Sequence, residues 1–250
     1  MSRAARYRLG FVASAILLLE ALCRAGVIDH LTMQPPSDML RDLVALLASG
    51  SMNGAMLKTL TNVVIACGLA VIAGVAFGVA LHGRRMIRQG LEPLFATYYA
   101  IPVYAFYPLL IILFGLGDLP QILIGFALAV VAVIVNTLNG LDRVPRALLR
   151  TARVYRLGPI ATAYKITLPS AAPYLLTGIR LAVAYAFIGV IGAEFIMSRT
   201  GIGYEISFAY NNFDNKTMYP LILLILAASI ALNAGVSHWE KVLMRRRSRS

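Results

Sequence analysis

The chain has 250 residues, 59% of them hydrophobic and only 14% charged, and a mean hydropathy of +0.76. Soluble domains carry about 25% charged residues, so this composition excludes a water-soluble globular domain and requires lipid as solvent. The net charge of +12 does not indicate nucleic acid, because the basic residues cluster at the edges of apolar blocks rather than on one soluble face.

The apolar residues fall into six blocks of roughly 20 residues, the length of an α-helix that crosses a bilayer core. The first, residues 9–28, follows Arg3, Arg6 and Arg8 as a signal peptide would, but its length and its Glu20 and Arg24 predict an uncleaved membrane helix. Those two charges are four residues apart, so on a helix they meet and neutralise each other. Residues 29–55 form a loop with Pro35-Pro36-Ser37 ahead of Met39, Leu40, Leu43, Leu46 and Leu47. Ser37 is placed to cap a short amphipathic helix on the membrane surface. The remaining blocks are 56–82, 93–116, 119–138, 174–197 and 218–238. Cys23 and Cys67 sit inside apolar stretches, which implies neither a disulfide nor a thiolate metal site.

With the N-terminus inside, seventeen Arg and Lys residues fall in inner segments and four in outer ones, where six acidic residues accumulate. This asymmetry predicts that both termini are cytoplasmic. No phosphate-binding G-x-x-x-x-G-K-[ST] loop, zinc-ligand spacing or nucleophile motif occurs. His30, His82 and His238 each end an apolar block, where interfacial anchoring is the expected role. The chain reads as a non-enzyme that binds no cofactor, metal or nucleic acid.

One long inner loop, residues 140–173, stands out, since loops of this length usually carry structure or function. Pro145 suits a first helical position, Gly158 a helix end, Pro159 a new start and Pro169 its close, predicting helix, sharp turn and helix. Arg143, Arg146, Arg150 and Arg153 form a basic stripe at helical spacing. Lipid headgroups would suit such a stripe; so would a docking knob for a cytoplasmic partner. In the third block Tyr98, Tyr99, Tyr104 and Tyr107 accompany Pro102 and Pro108, expected kink points. Tyrosine hydroxyls in lipid need partners, which a bundle interior or a water-lined path provides. Asn136 and Asn139, three apart, are candidates for the same path or for interhelical hydrogen bonds. Glu194 is a further path candidate, with anchoring near the outer end of its span the stronger expectation.

The runs Ala152-Arg153-Val154-Tyr155, Ile166-Thr167-Leu168-Pro169-Ser170-Ala171-Ala172-Pro173 and Thr177-Gly178-Ile179-Arg180-Leu181 resemble the cytoplasmic-loop signature of permease subunits of bacterial ABC importers. Ala100-Ile101-Pro102, Phe114-Gly115-Leu116-Gly117, Asn136-Thr137-Leu138-Asn139-Gly140, and Ala193-Glu194-Phe195 before Gly201-Ile202-Gly203-Tyr204 extend the similarity to the subgroup handling nitrate, taurine and aliphatic sulfonates. The resemblance implies an all-α type I importer permease of six transmembrane helices in the bacterial inner membrane, paired with a second copy as a homodimer. It also implies ATPase subunits beneath, which use ATP and Mg²⁺, and an external solute-binding protein. The coupling segment would dock the ATPase through Arg146, Leu149, Arg150, Ala152, Arg153, Tyr155, Arg156 and Gly158. Two positions depart from the family pattern: Arg150 stands where an acidic residue is usual, and Arg156 where glycine is. Gly158 is then expected to supply the turn that the missing glycine would make. An ion-driven secondary transporter and a non-transporting scaffold are the alternatives. The first usually shows internal repeats and buried ionisable groups, and the second would leave the Pro-Gly-Pro helix pair unexplained.

Overall fold

A computed structural model describes residues 3–29 and 32–247. His30 and Arg249, used above for anchoring and for charge asymmetry, lie outside the described residues. The chain is helical: α1 Arg3–Arg24, α2 Pro36–Ser49, α3 Asn53–His82, α4 Arg85–Thr97, α5 Tyr107–Phe114, α6 Asp118–Asp142, α7 Arg146–Val154, α8 Pro159–Thr162, α9 Leu168–Ile196, α10 Ile202–Asn211 and α11 Asn215–Arg247. Among the described residues four helical stretches are long and apolar enough to cross a membrane: Asn53–His82, Asp118–Asp142, Ala163–Ile196 and Asn215–Glu240. A fifth is made only by joining Arg85–Ala100 to Val103–Phe114, which meet at 86°.

The bend falls at Pro102, an expected kink point, but at 86° it breaks the third block into two limbs rather than kinking one span. Pro102 has no N–H to donate, and Ile101 before it is extended (φ −76°, ψ 124°), the conformation a following proline favours. The two limbs are each too short, at about 1.5 Å per residue, to cross a core of about 30 Å alone. Helix α1 misses the count for a different reason, since Arg6, Arg8, Glu20 and Arg24 leave no long charge-poor window. A further difference concerns Pro169. It lies in the first turn of α9, directly after a π-helical turn over Ala163–Thr167, so the helix runs through it rather than closing there. A widened turn is one way a helix absorbs local strain of this kind.

The chain forms two compact units. One comprises Thr59–Ala193 and Ser229–Ser250. Its centre is α6, the most buried of the candidate spans. Helix α3 offers α6 a face of small residues, Ala66, Ala70, Gly74 and Gly78, four apart and therefore stacked along one ridge. A Cβ on Gly74 would stand 2.6 Å from the Val133 Cβ, and one on Gly78 2.7 Å from the Thr137 Cβ. Helix α9 approaches from another side, where a Cβ on Gly189 would lie 2.6 Å from the Gly125 Cα. In lipid there is no hydrophobic drive between helices, so close backbone approach through small residues supplies the packing energy. A buried Asn62–Gln121 hydrogen bond of 2.9 Å adds a polar tie between α3 and α6.

The other unit comprises Met1–Lys58 and Glu194–Ala228. Ile202, Ile206, Ala209, Met218 and Leu221 form its apolar core, with Leu46, Met52 and Met56 against them. Helix α2 forms as expected, but Ser37 does not cap it. Pro35 occupies the cap position, and the Glu20 carboxylate of α1 accepts from the Ser37 N–H (3.0 Å) and hydroxyl (2.7 Å). Glu20 thus caps α2 from outside while pairing with Arg24 at 2.5 Å, as the four-residue spacing predicts.

Candidate functional site

The loop after α6 is built around two short helices and a left-handed turn. Pro145 precedes α7 with extended backbone, and its carbonyl accepts from Leu148 and Leu149. At the other end the Leu157 N–H reaches the Ala152 carbonyl at 2.9 Å and the Arg156 N–H the Arg153 carbonyl at 3.0 Å. This is the Schellman pattern, which needs one left-handed residue just past the helix. Arg156 is that residue, at φ +51°. The expectation that Gly158 would take over the turn is therefore corrected: Arg156 makes it in place, and Gly158 instead accepts from Thr162 at the start of α8.

Around this turn the predicted docking residues divide by exposure. Arg146, Arg150, Arg153, Tyr155, Arg156 and Gly158 are exposed, and Leu149 is half-buried. Ala152 is 2% exposed, so it faces inward and sets the seat of α7 rather than its outer surface. On the same loop Val154 at 79%, Tyr155 at 75% and Tyr164 at 74% exposure leave large side chains open to solvent. Arg143, at the head of the loop, lies over the Tyr174 ring at 5.5 Å, a cation–π contact that ties the loop to α9.

The proposed path residues also divide. Tyr99, Asn136 and Asn139 line one cavity of about 470 Å³, together with Arg88, Glu92 and Tyr185. This volume lies within the ~300–1,000 Å³ of small-molecule sites. The Tyr99 and Tyr185 rings stack with centroids 5.2 Å apart, and Tyr98 meets Tyr99 edge-on at 5.7 Å. Tyr98 donates to the Ala127 carbonyl and Tyr104 to that of Ile188, so both hydroxyls are used in joining helices. Tyr104 also packs its ring on Gly192, where a Cβ would collide with it. Tyr107 is buried among Val103, Ile124 and Ala193. None of these three lines the cavity.

Glu194 is fully buried in the other unit, where its Oε2 accepts from the Gly203 N–H at 3.1 Å. That N–H belongs to the first turn of α10, which lacks intrahelical acceptors and favours negative charge. The carboxylate fills the space above Gly201, so that a Cβ there would collide with it. Glu194 therefore organises the Gly201-Ile202-Gly203 turn, an anchoring role.

Residues 45–249 match the family described as "Binding-protein-dependent transport system inner membrane component". The chain belongs to this family. It is 26% identical over 240 residues to the bicarbonate transport system permease protein CmpB of Synechocystis sp., a match covering 91% of this chain and 85% of that protein. It is 29% identical over 178 residues to the nitrate import permease protein NrtB of Leptolyngbya laminosa, covering 71% and 64%. Among solved structures, an inward-facing MetNI methionine ABC transporter contains a chain of the same fold, with a TM-score of 0.65, 15% identity, and coverage of 76% of this chain and 94% of that one. The protein is a multi-pass permease subunit of an ABC importer, the transport rather than the ATP-hydrolysing component.

Two residues of this permease escaped the sequence reading. Arg88 was one of several basic residues counted for topology, and Asp142 was assigned no role. In the structure the Arg88 guanidinium grips Asp142 with two parallel bonds of 2.7 and 2.6 Å and Glu92 with a third of 2.8 Å. Glu92 was legible in principle, because four-residue spacing on a helix brings it to Arg88. Asp142 is 54 positions away, and no local pattern announces such a pair.

Proposed function

We propose that this permease, as a homodimer, forms the translocation pathway of an ATP-driven importer for a small oxyanion of the nitrate, bicarbonate or sulfonate kind. Family membership and the named relatives support the solute class. The cavity wall of Tyr99, Tyr185, Asn136 and Asn139 supports a path that offers neutral hydrogen-bonding groups, with selection made chiefly by an external solute-binding protein.

In this reading the chain spans the bacterial inner membrane six times with both termini cytoplasmic. Helix α1 is the first span, its Phe11, Val12, Ile16, Leu17 and Leu18 all exposed as a lipid-facing helix requires. The 29–55 loop is external and the 140–173 loop cytoplasmic. The observation that carries the docking role is the exposure of Val154, Tyr155 and Tyr164 on the loop that also exposes Arg146, Arg150, Arg153 and Arg156. Large apolar side chains exposed beside charge on a short helical knob mark a protein interface. A partner ATPase, using its own ATP and Mg²⁺, would grip this knob. Its closure would then rock α6 and α9, which the loop connects. With arginine rather than an acidic residue at position 150, the ATPase groove should present acidic groups.

The test is purification of the chain from its native membrane in mild detergent, with mass spectrometry and ATPase assay of the eluate. An ATPase subunit recovered with the wild type, and lost in Tyr155→Ala/Val154→Asp while the permease stays monodisperse, supports the reading. A lone permease whose uptake proceeds without ATP would overturn it in favour of an ion-driven transporter.

A further inference from the structure

We infer that Arg88 is a switchable oxyanion site in the cavity wall, held closed by the Asp142 carboxylate. The inference rests on the oxyanion reading above and gives it a residue. Three observations carry it. First, Arg88 is the cation among the residues lining the cavity, and its guanidinium fork is occupied by Asp142 edge-on, two nitrogens to two oxygens. Nitrate, bicarbonate and sulfonates present the same two-oxygen edge, so the internal carboxylate has the shape of a solute bound there.

Second, the pair sits at a partly wet rim, with side-chain exposures of 20% for Arg88 and 40% for Asp142. Water reaches both groups, and an incoming oxyanion can replace the carboxylate with the same two charge-assisted bonds to the fork, so one anion exchanges for another of like geometry. Asp142 would not be stranded, because His82 Nδ1 already lies 3.4 Å from its Oδ1. Third, Asp142 is the last residue of α6 and stands directly before the loop that carries α7. Asp142 touches the cavity only through Arg88, which does line it, so a pull on the loop reaches the cavity through this fork.

The consequence is a cavity with two affinities. With the fork closed, Arg88 is spent on Asp142 and Glu92, and the remaining charge at the rim is negative, which repels an oxyanion. Once the loop draws Asp142 away, Arg88 faces the cavity paired only with Glu92 and can accept the solute. Closure of the latch then returns Asp142 to the fork and displaces the bound anion, so that release needs no large change in cavity shape.

The experiment uses the whole complex of permease, ATPase and binding protein, nucleotide-free in detergent. Chloride is the probe, followed by ³⁵Cl line broadening, and nitrate is the competitor. Asp142→Asn should create nitrate-displaceable broadening with an apparent affinity roughly tenfold tighter than in the wild type, since a charge-assisted partner has been removed from the fork. Adding Arg88→Gln to Asp142→Asn should abolish it. Arg88→Lys in the otherwise native chain keeps a cation but loses the fork. It should bring the preference for nitrate over chloride towards unity, a readout that does not depend on the Asp142 variant folding. No gain in Asp142→Asn, or a gain that persists in the double variant, overturns the inference. If instead the wild-type complex in proteoliposomes imports none of nitrate, bicarbonate or methanesulfonate, the oxyanion reading itself fails and this inference falls with it.

Discussion

Replacing Gly201 by alanine should disrupt the turn that starts α10, and Glu194 makes the size of the effect separable into parts. Gly201 has φ +106° and ψ 165°, a region open essentially to glycine, where other residues cost of order 1–3 kcal/mol. A Cβ there would also collide with the Glu194 carboxylate, which must move and surrender its bond to the Gly203 N–H. A buried hydrogen bond to a charged group is worth about 1.5–3 kcal/mol. Gly201→Ala should therefore destabilise the unit by about 2.5–6 kcal/mol in total, which at its upper end equals the whole stability of a marginal domain. Glu194→Ala alone loses the bond without straining the backbone, a cost of about 1.5–3 kcal/mol. In the double variant the collision is gone and the bond can be lost only once. The two single effects should exceed the double effect by the value of that bond, again about 1.5–3 kcal/mol, and only the backbone strain should remain on top of Glu194→Ala. The assay is thermal unfolding of purified permease in nanodiscs, read by intrinsic fluorescence and by size-exclusion recovery after heating. Additive effects in this cycle would refute the argument, because they would mean that the carboxylate and the residue 201 position do not share a space.

Arg156→Gly should stabilise the 140–173 loop by up to about 1 kcal/mol, since a non-glycine residue in the left-handed region carries a penalty of that order; slower amide exchange at position 156 and at Leu157 would show it, and unchanged exchange would contradict it. Gly189→Val should prevent the approach of α9 to α6, where a Cβ already lies 2.6 Å from the Gly125 backbone, and no monodisperse permease should be recovered from membranes. Glu20→Ala should lower the unfolding temperature by uncapping α2 and leaving Arg24 only its bond to the Ser37 hydroxyl, with Ser37→Ala retaining part of that stability through the remaining backbone bond; equal effects would deny the external cap.

Much of the fold was legible because lipid imposes simple rules. Helix-length apolar blocks must be helices, since no other open structure satisfies its backbone in hydrocarbon, and blocks 56–82 and 119–138 fall where α3 and α6 lie. The Glu20–Arg24 pair and the helix pair of the 140–173 loop followed from periodicities of four and from proline and glycine chemistry. The break at Pro102 was visible as a kink but not as a bend of 86°, because proline removes a hydrogen bond without fixing where the chain goes next.

The candidate site was less legible, for a reason tied to sequence distance. The four tyrosines look alike in sequence, yet Tyr99 faces a cavity while Tyr98 and Tyr104 spend their hydroxyls on backbone carbonyls and Tyr107 is packed away. Ala152 reads as part of a docking surface and is buried, because which face of a short helix turns outward depends on what it packs against. The sequence by itself determined the solvent, the helical class, the helix pair of the 140–173 loop and the family, all of which rest on composition and local spacing. Only the tertiary structure decided that Arg88 holds Asp142, that Glu194 builds the Gly201 turn and that Arg156 makes its own left-handed turn. The first two are contacts between separate helices, and the third is a backbone choice that arginine disfavours and the Schellman hydrogen bonds hold in place.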